Sequence, residues 1–447
     1  MFVNSIFSET LYVNWFNLSL KLNNYPLNSA KRRLSEIVNI PEKDYQSYID
    51  ERKLNIVEHH FNANAYYKSL CNGKLPKHWV DVPIVTKGNF QVPLQDRLSA
   101  GFTAKNTYVN KTSGSSGHPF IFAKDKTCHA LTWANIIKNF GGLGLDFNTS
   151  YQARFYGIPL DKLGYYKERV KDTFAKRYRF PIFNINEETH EFYIKTFTAK
   201  QFDYINGYTS VIVLFAKYLK QKNIILKDIC PSLKVCIVTS EMLFEEDKLL
   251  LEQYLGIPIV NEYGASELDI IAFQDVNGNW RINTETLFVE VLNEQNKPVS
   301  LGEPGKLVIT SLYNTAHPFI RYEIGDLGIL REDSTAKHTF LKSLIGRSND
   351  IAKTPSGKIV PGLTFYYVTK NVIEDQGSVK EFVVKQTKLD SFKIEYVSKE
   401  ELTQAFKTRV KEALSNYLEP GLHLELIRVE QLKRSKSGKL KQFESLL

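Results

Sequence analysis

The chain has 447 residues, 43% of them hydrophobic, with 28 Phe and 24 Tyr; it is too long for one ordinary core and too apolar to be disordered. The net charge is +9, but the aromatics are not interleaved with a basic stripe, which argues against nucleic acid as a partner. No run of 18 apolar residues occurs, so no transmembrane segment is expected.

In chain order, Met1–Glu9 lacks a basic n-region and a continuous apolar run, and no signal peptide is expected. Four cysteines (Cys71, Cys128, Cys230 and Cys236) form no C-x-x-C and no zinc-ligand spacing; they read as reduced, buried thiols in a cytoplasmic protein. The stretch through Phe7, Leu11, Trp15 and Leu18 fits packing on its own domain better than a membrane surface. Residues 9–70 read mostly as helix, broken at Pro26 and Pro41. From about 105, strand-like and helical runs alternate: Tyr108–Asn110, a Gly/Ser loop, a helix over Thr127–Asn139, a helix over Val211–Lys222, a strand over Leu233–Val238, a helix over Glu245–Leu255 and a strand over Ile257–Asn261. That alternation predicts an α/β fold with mostly parallel sheets flanked by helices. From about 280, short strands (Thr286–Leu292, Gly305–Ser311, Leu327–Arg331 and Thr339–Ile345) predict a small β subdomain. Beyond Arg347 a hairpin near 350–360, a helix, strands over Glu381–Lys385 and Phe392–Val397, a helix over Lys399–Tyr417 and a final strand predict a compact α+β unit. Residues 331–447 hold 21 Lys and Arg against 15 Asp and Glu, two thirds of the excess charge. Such a basic unit suits polyanions or is simply a solvated face.

Several short motifs carry chemistry. In Thr112-Ser-Gly-Ser-Ser-Gly-His-Pro119, Gly114 and Gly117 permit positive φ, so backbone N–H groups can converge on an anion. The hydroxyls of Thr112, Ser113, Ser115 and Ser116 add donors. The loop is neither a Walker A loop nor a nucleophile elbow, and taken alone it fits a flexible turn as well. Glu262-Tyr-Gly-Ala-Ser-Glu267 places an aromatic ring (Tyr263), a glycine allowing close approach (Gly264), Ala265, Ser266 and a carboxylate in one loop after an apolar strand, where α/β sheets bind ligands. A carboxylate beside a polyphosphate suits Mg²⁺, which needs only one or two protein oxygens. In Tyr322-Glu-Ile-Gly-Asp326, Asp326 follows a glycine turn and can accept both ribose hydroxyls. Each of these also fits an ordinary polar turn. Arg347 can grip ribose or phosphate oxygens with its planar fork. Lys439, in Lys436-Ser-Gly-Lys439, taken alone is an ordinary solvated lysine.

Together and in this order, these motifs resemble the adenylate-forming superfamily of acyl-CoA synthetases, adenylation domains and luciferases. They look closest to its phenylacetate–CoA ligase-like branch and, within it, to the CapK-like proteins linked with capsular polysaccharide synthesis. The resemblance runs from about Trp79 to Lys439. It implies a large N-terminal adenylation domain over 1–346 and a small mobile C-terminal lid over 347–447, with a hinge at Asn349 and Asp350. The implied activity is ATP- and Mg²⁺-dependent conversion of a small, aromatic or compact carboxylic acid to an acyl-adenylate, then transfer to coenzyme A. An amine, a sugar or a carrier protein is the alternative acceptor, and a homodimer is compatible.

The resemblance also implies residue roles. Residues 112–117 embrace the β- and γ-phosphates, with Thr112 and Ser113 catalytic. Tyr263 packs on adenine, and Ser240 and Glu241 line its edge, in a nucleotide site that includes Glu262. Glu267 ligates Mg²⁺, Asp326 binds the ribose with Arg347 nearby, and Lys439 bridges the substrate carboxylate and the α-phosphate. Phe155, Tyr156, Gly157, Gly207 and Tyr208 form the acyl pocket. Phe120 stands where many superfamily members have Lys, as in the phenylacetate–CoA ligase branch. The segment Lys353–Gly362 matches the CapK-like pattern better than that of aryl-CoA ligases. A non-catalytic nucleotide-binding relative is the reading of another class, and the presence of Glu267, Asp326, Arg347 and Lys439 weighs against it.

Overall fold

The computed structural model describes residues 15–111, 120–157, 162–182, 185–347, 351–357, 359–361, 379–417, 419–434 and 440–447. The Gly/Ser loop at 112–119, the hinge residues 349 and 350, the helix expected after 361 and Lys439 lie outside them.

Four helices open the described chain: α1 (Trp15–Leu22), α2 (Leu27–Val38), α3 (Glu42–Ala63) and α4 (Ala65–Leu70). Pro26 and Pro41 stand at the N-caps of α2 and α3, where a missing N–H costs nothing because the first turn's donors have no partners in the helix. Short strands β1 (Val85–Thr86), β2 (Tyr108–Lys111) and β3 (Ile121–Lys124) precede α5 (Lys126–Gly142). Asp125 caps α5, one carboxylate oxygen accepting from Cys128 N at 2.8 Å and the other from Thr315 N at 2.8 Å. Leu20, Leu27, Ala30 and Leu34 pack on Ala130, Leu131 and Ala134 of α5. This holds the N-terminal helices against the main sheet.

That sheet has seven strands. Its strands are β4 (Gln152–Phe155), β5 (Arg177–Arg179), β6 (Tyr204–Tyr208), β7 (Val235–Thr239), β8 (Ile259–Ala265), β9 (Asp269–Gln274) and β10 (Trp280–Ile282), in the order β10-β9-β8-β7-β6-β4-β5. The strands from β5 to β8 run parallel, and β9 and β10 run antiparallel. The crossovers are α6 (Lys162–Phe174), α7 (Glu187–Ala199), α8 (Thr209–Lys222) with α9 (Leu226–Ile229), and α10 (Glu245–Leu255). One face is a continuous apolar core that includes Ala153, Phe155, Ile205, Cys236, Val238 and Leu251. The other face packs Tyr204, Val235, Ile237, Val260 and Ile270 against Phe140 and Leu145. Burial on both faces is what a parallel sheet requires.

A second sheet joins β11 (Leu287–Leu292), β12 (Pro304–Ser311), β13 (Tyr322–Leu330) and β14 (Leu341–Arg347), and β1 adds in parallel to β13 from far upstream. Downstream, β15 (Ile351–Lys353) and β16 (Ile359–Pro361) pair as a hairpin. The strands β17 (Val379–Lys388), β18 (Ser391–Ser398), β19 (His423–Arg428) and β20 (Phe443–Ser445) form a four-stranded sheet, order β19-β18-β17-β20. It shares a core of Ala352, Phe382, Ile394 and Phe443 with Phe406, Val410 and Leu414 of α11 (Gln404–Tyr417). The chain is therefore α/β, with a large N-terminal unit and a small C-terminal α+β unit. Where one final strand was expected there are two, and the last returns to the edge of β17.

Candidate active site

A cavity of about 860 Å³ lies on the α5 face of the seven-stranded sheet. The face is set by alternation. Along β4 and β6, Ala153, Phe155 and Ile205 point to the opposite core, while Gln152, Arg154, Tyr204 and Asn206 line the cavity. Thr239, Ser240, Glu262, Gly264, Ser266 and Glu267 continue the lining past the C-terminal ends of β7 and β8, and Asp326 joins from the second sheet.

Two expected turns are strand. Glu262 to Ala265 lie within β8, which bends back into β9 through a register shift after Tyr263. At Gly264 an added Cβ would meet the Asp269 carbonyl oxygen at 2.5 Å, so a side chain there would force this hairpin apart. Tyr322–Asp326 likewise lies within β13. Gly325 takes φ +87° where the β12–β13 register shifts between Lys306 and Val308, and the bulge aims Asp326 toward β8. There Tyr263 Oη donates to Asp326 Oδ2 at 2.7 Å, and Asp326 lines the cavity. Arg347 stands opposite Asp326 in the ladder.

Glu267 is 7% exposed and accepts from Tyr322 Oη at 3.0 Å. Burial raises its carboxyl above the ordinary range, and among the described residues it forms no ion pair. A buried carboxylate of this kind fits a bound divalent cation, which would supply the missing positive charge. Glu262 accepts from Thr239 Oγ1 at 3.2 Å, and burial pushes its carboxyl up to about 7. Ser240 lines the cavity with a left-handed φ of +71°. Glu241 turns away from the cavity: one carboxylate oxygen accepts from Ser210 N at 2.7 Å and the other from Leu440 N at 3.0 Å.

Of the expected acyl-pocket residues, Tyr156 lines the cavity. Phe155 does not: it is 0% exposed and stacks on Phe180 in the opposite core. Tyr208 packs against Tyr156 at 4.8 Å, the Gly157 carbonyl accepts from Arg179 Nη1 at 2.7 Å, and Gly207 lies against Phe155 in the strand pairing. These residues support the pocket wall from behind. The cavity's apolar lining comes instead from α1 and α5, through Phe16, Leu18, Trp133, Ile136 and Phe140. Phe16 stacks on Phe147 at 5.1 Å between ring centres and meets Trp133 edge-on at 5.0 Å. Arg154 was also missed in the sequence, although the polar–apolar alternation of Gln152-Ala-Arg-Phe marks a strand with one wet face.

The arrangement matches known proteins at the level of fold. The structure superposes on a 2-hydroxyisobutyryl-CoA ligase in its postadenylation state with an R3-HIB-AMP ligand at a TM-score of 0.70, with 16% identity and 90% of each chain covered. Against the same ligase with 2-HIB-AMP and CoA in the thioesterification state the TM-score is 0.57. The anthranilate CoA ligase AuaEII, solved with anthranoyl-AMP, gives 0.53 at 16% identity, covering 76% of this chain and 66% of that one. The fold is that of the adenylate-forming ligases.

In sequence, the chain is 28% identical over 202 residues to Protein CapK of Staphylococcus aureus. The match spans 43% of each chain, less than half the length of that relative. No family model matches.

Proposed function

We propose that this protein activates a carboxylic acid with ATP and Mg²⁺ to an acyl-adenylate and passes the acyl group to coenzyme A. The observation that carries the reading is that Glu267, Asp326, Ser240 and Gly264 line one cavity together with the apolar side chains of Phe16, Trp133 and Ile136. A carboxylate attacking an α-phosphate meets like charge, and negative charge grows on the phosphorus oxygens. Mg²⁺ bound at Glu267 would offset that charge. Asp326, which accepts from Tyr263, is assigned the ribose hydroxyls, with Arg347 across the ladder. The Gly/Ser loop from Thr112 to Gly117 is assigned the β- and γ-phosphates, and Lys439 the bridge between carboxylate and α-phosphate. The C-terminal unit, from residue 347 with its hinge at Asn349 and Asp350, is assigned an alternation between the two half-reactions.

ATP–pyrophosphate exchange over a panel of acids, with and without CoA, tests this. Acid-dependent exchange together with a CoA thioester upholds it. Exchange without a thioester moves the acceptor to an amine, a sugar or a carrier protein. An absence of exchange with any acid, from protein that binds ATP, sinks it.

A further inference from the structure

Three arginines stand side by side where β4 meets β5. Arg177 pairs with Asp172, and Arg179 pairs with Asp172 and Glu168 at 2.9 Å each. Those two carboxylates are thereby used. Arg154, directly opposite Arg179 in the parallel register, makes no ion pair among the described residues: Glu262 faces it across the cavity without pairing, and its Nε is buried without a hydrogen-bond partner. Burial weakens its hold on its proton. Its surface faces the cavity.

The side chain is nonetheless held in place. The guanidinium carbon lies 4.2 Å from the centre of the Tyr156 ring. Tyr156 Oη donates to Asn206 Oδ1 at 3.2 Å, Gln152 Nε2 donates to the same oxygen at 3.1 Å, and Asn206 Nδ2 donates to the Ile237 carbonyl at 3.1 Å. A three-strand polar network thus fixes the ring on which the guanidinium stacks. A half-buried cation that no carboxylate pairs is incompletely compensated, and one pre-positioned on a ring at a cavity wall is suited to an anion that arrives from solution.

We propose that the acid this cavity takes carries a second carboxylate, seated on Arg154, so that the substrate class is a dicarboxylic acid with an apolar body. The inference rests on the adenylation reading for the fate of the first carboxylate. The second is a monoanion, because one positive charge is on offer: Arg177 and Arg179 are already matched, which disfavours a doubly charged phosphate. The apolar body lies against Phe16, Trp133, Ile136 and Phe140, which line the same space.

The test uses the full chain and matched pairs of acids on one carbon skeleton: pentanoate and glutarate, heptanoate and pimelate, benzoate and terephthalate, with a terminal hydroxy acid for each length. Two readouts are taken, ATP–pyrophosphate exchange and the shift in melting temperature on adding the acid alone. In the wild type, one diacid exceeds its monoacid in kcat/KM by roughly 30-fold or more, the scale of a buried charge pair. Arg154→Met collapses that ratio to one or below, and Arg154→Lys leaves it intermediate. The Met variant melts no lower than the wild type without ligand, since a half-buried charge without an ion-pair partner has been removed; a purely structural arginine would leave it less stable. A wild-type preference for monoacids or hydroxy acids, or a ratio that survives Arg154→Met, overturns the inference. If no acid supports exchange, the adenylation reading fails and the melting shift decides alone. Stabilisation by a diacid that Arg154→Met abolishes upholds the site, and no stabilisation of the wild type by any diacid overturns it.

Discussion

Glu262 faces Arg154, Thr239 and Tyr156 across the cavity floor, and its carboxyl is raised from 4.5 to about 7, chiefly by burial. A group that holds its proton more tightly in the fold than in the unfolded chain has a definite pH signature. Below pH 4.5 it is protonated in both states and changes nothing. As pH rises toward 7 the unfolded chain ionises first, and stability falls; above about 7 the loss is complete. Glu262→Gln removes this dependence. The variant is expected to match the wild type near pH 4 and to be more stable at pH 8 by about 3 kcal/mol, the scale set by raising the carboxyl from 4.5 to about 7. Urea unfolding at the two pH values checks it, and a stability difference that does not change with pH refutes the assignment. Beside it, Tyr263→Phe removes the 2.7 Å bond to Asp326. A lost neutral-to-charged hydrogen bond of about 1.5 kcal/mol should weaken ATP binding roughly tenfold without unfolding the protein. ATP titration by calorimetry reads this, and unchanged affinity would remove Asp326 from the ribose site.

At the scale of elements, the tight approach of β4 and β6 governs the cavity floor. A Cβ on Gly207 would lie 2.4 Å from Phe155 Cβ and 2.6 Å from the Phe155 carbonyl oxygen. Backbone cannot yield there without parting two central strands, so Gly207→Ala should lose about 1–3 kcal/mol or more of stability, read as a lower urea midpoint. Full wild-type stability would mean the strands are looser than drawn. The residue was legible in sequence as part of a pocket, yet it acts through packing, because a motif shows which residues are special and not which way a strand's pleat turns them. The same limit explains Phe155 and Arg154, neighbours on β4 that face opposite sides. The alternation of strands and helices along 105–261 was readable because each element has its own period. The bulge at Gly325, by contrast, depends on β12 counting fewer residues than β13, and no local signal records a partner's count. The joining of β1 to β13, 237 positions apart in register, is invisible for the same reason.

For the whole molecule, the question is what links the C-terminal unit to the N-terminal one. Glu241 joins two parts of the chain: it caps α8 at Ser210 N and accepts from Leu440 N at 3.0 Å. Leu440 follows Lys439, the residue assigned to the adenylation step. Arg434 adds a second link, pairing with Glu381 of β17 while Nη1 reaches Ser210 Oγ at 3.4 Å. Glu241→Ala should therefore separate the two steps. Loss of the cap alone costs about 1 kcal/mol of stability and acts on both steps alike. Loss of the link at Leu440 acts on the first step, because only there does Lys439 have to be held in. We expect acid-dependent pyrophosphate exchange to fall by roughly tenfold, the weight of one charge-assisted hydrogen bond, while transfer to CoA from a supplied acyl-adenylate stays within about twofold. Lys439→Ala should show the same split at a larger scale, by roughly 100-fold or more. Equal loss in both half-reactions for Glu241→Ala would reduce the residue to a helix cap, and equal loss for Lys439→Ala would remove the lysine from the adenylation step.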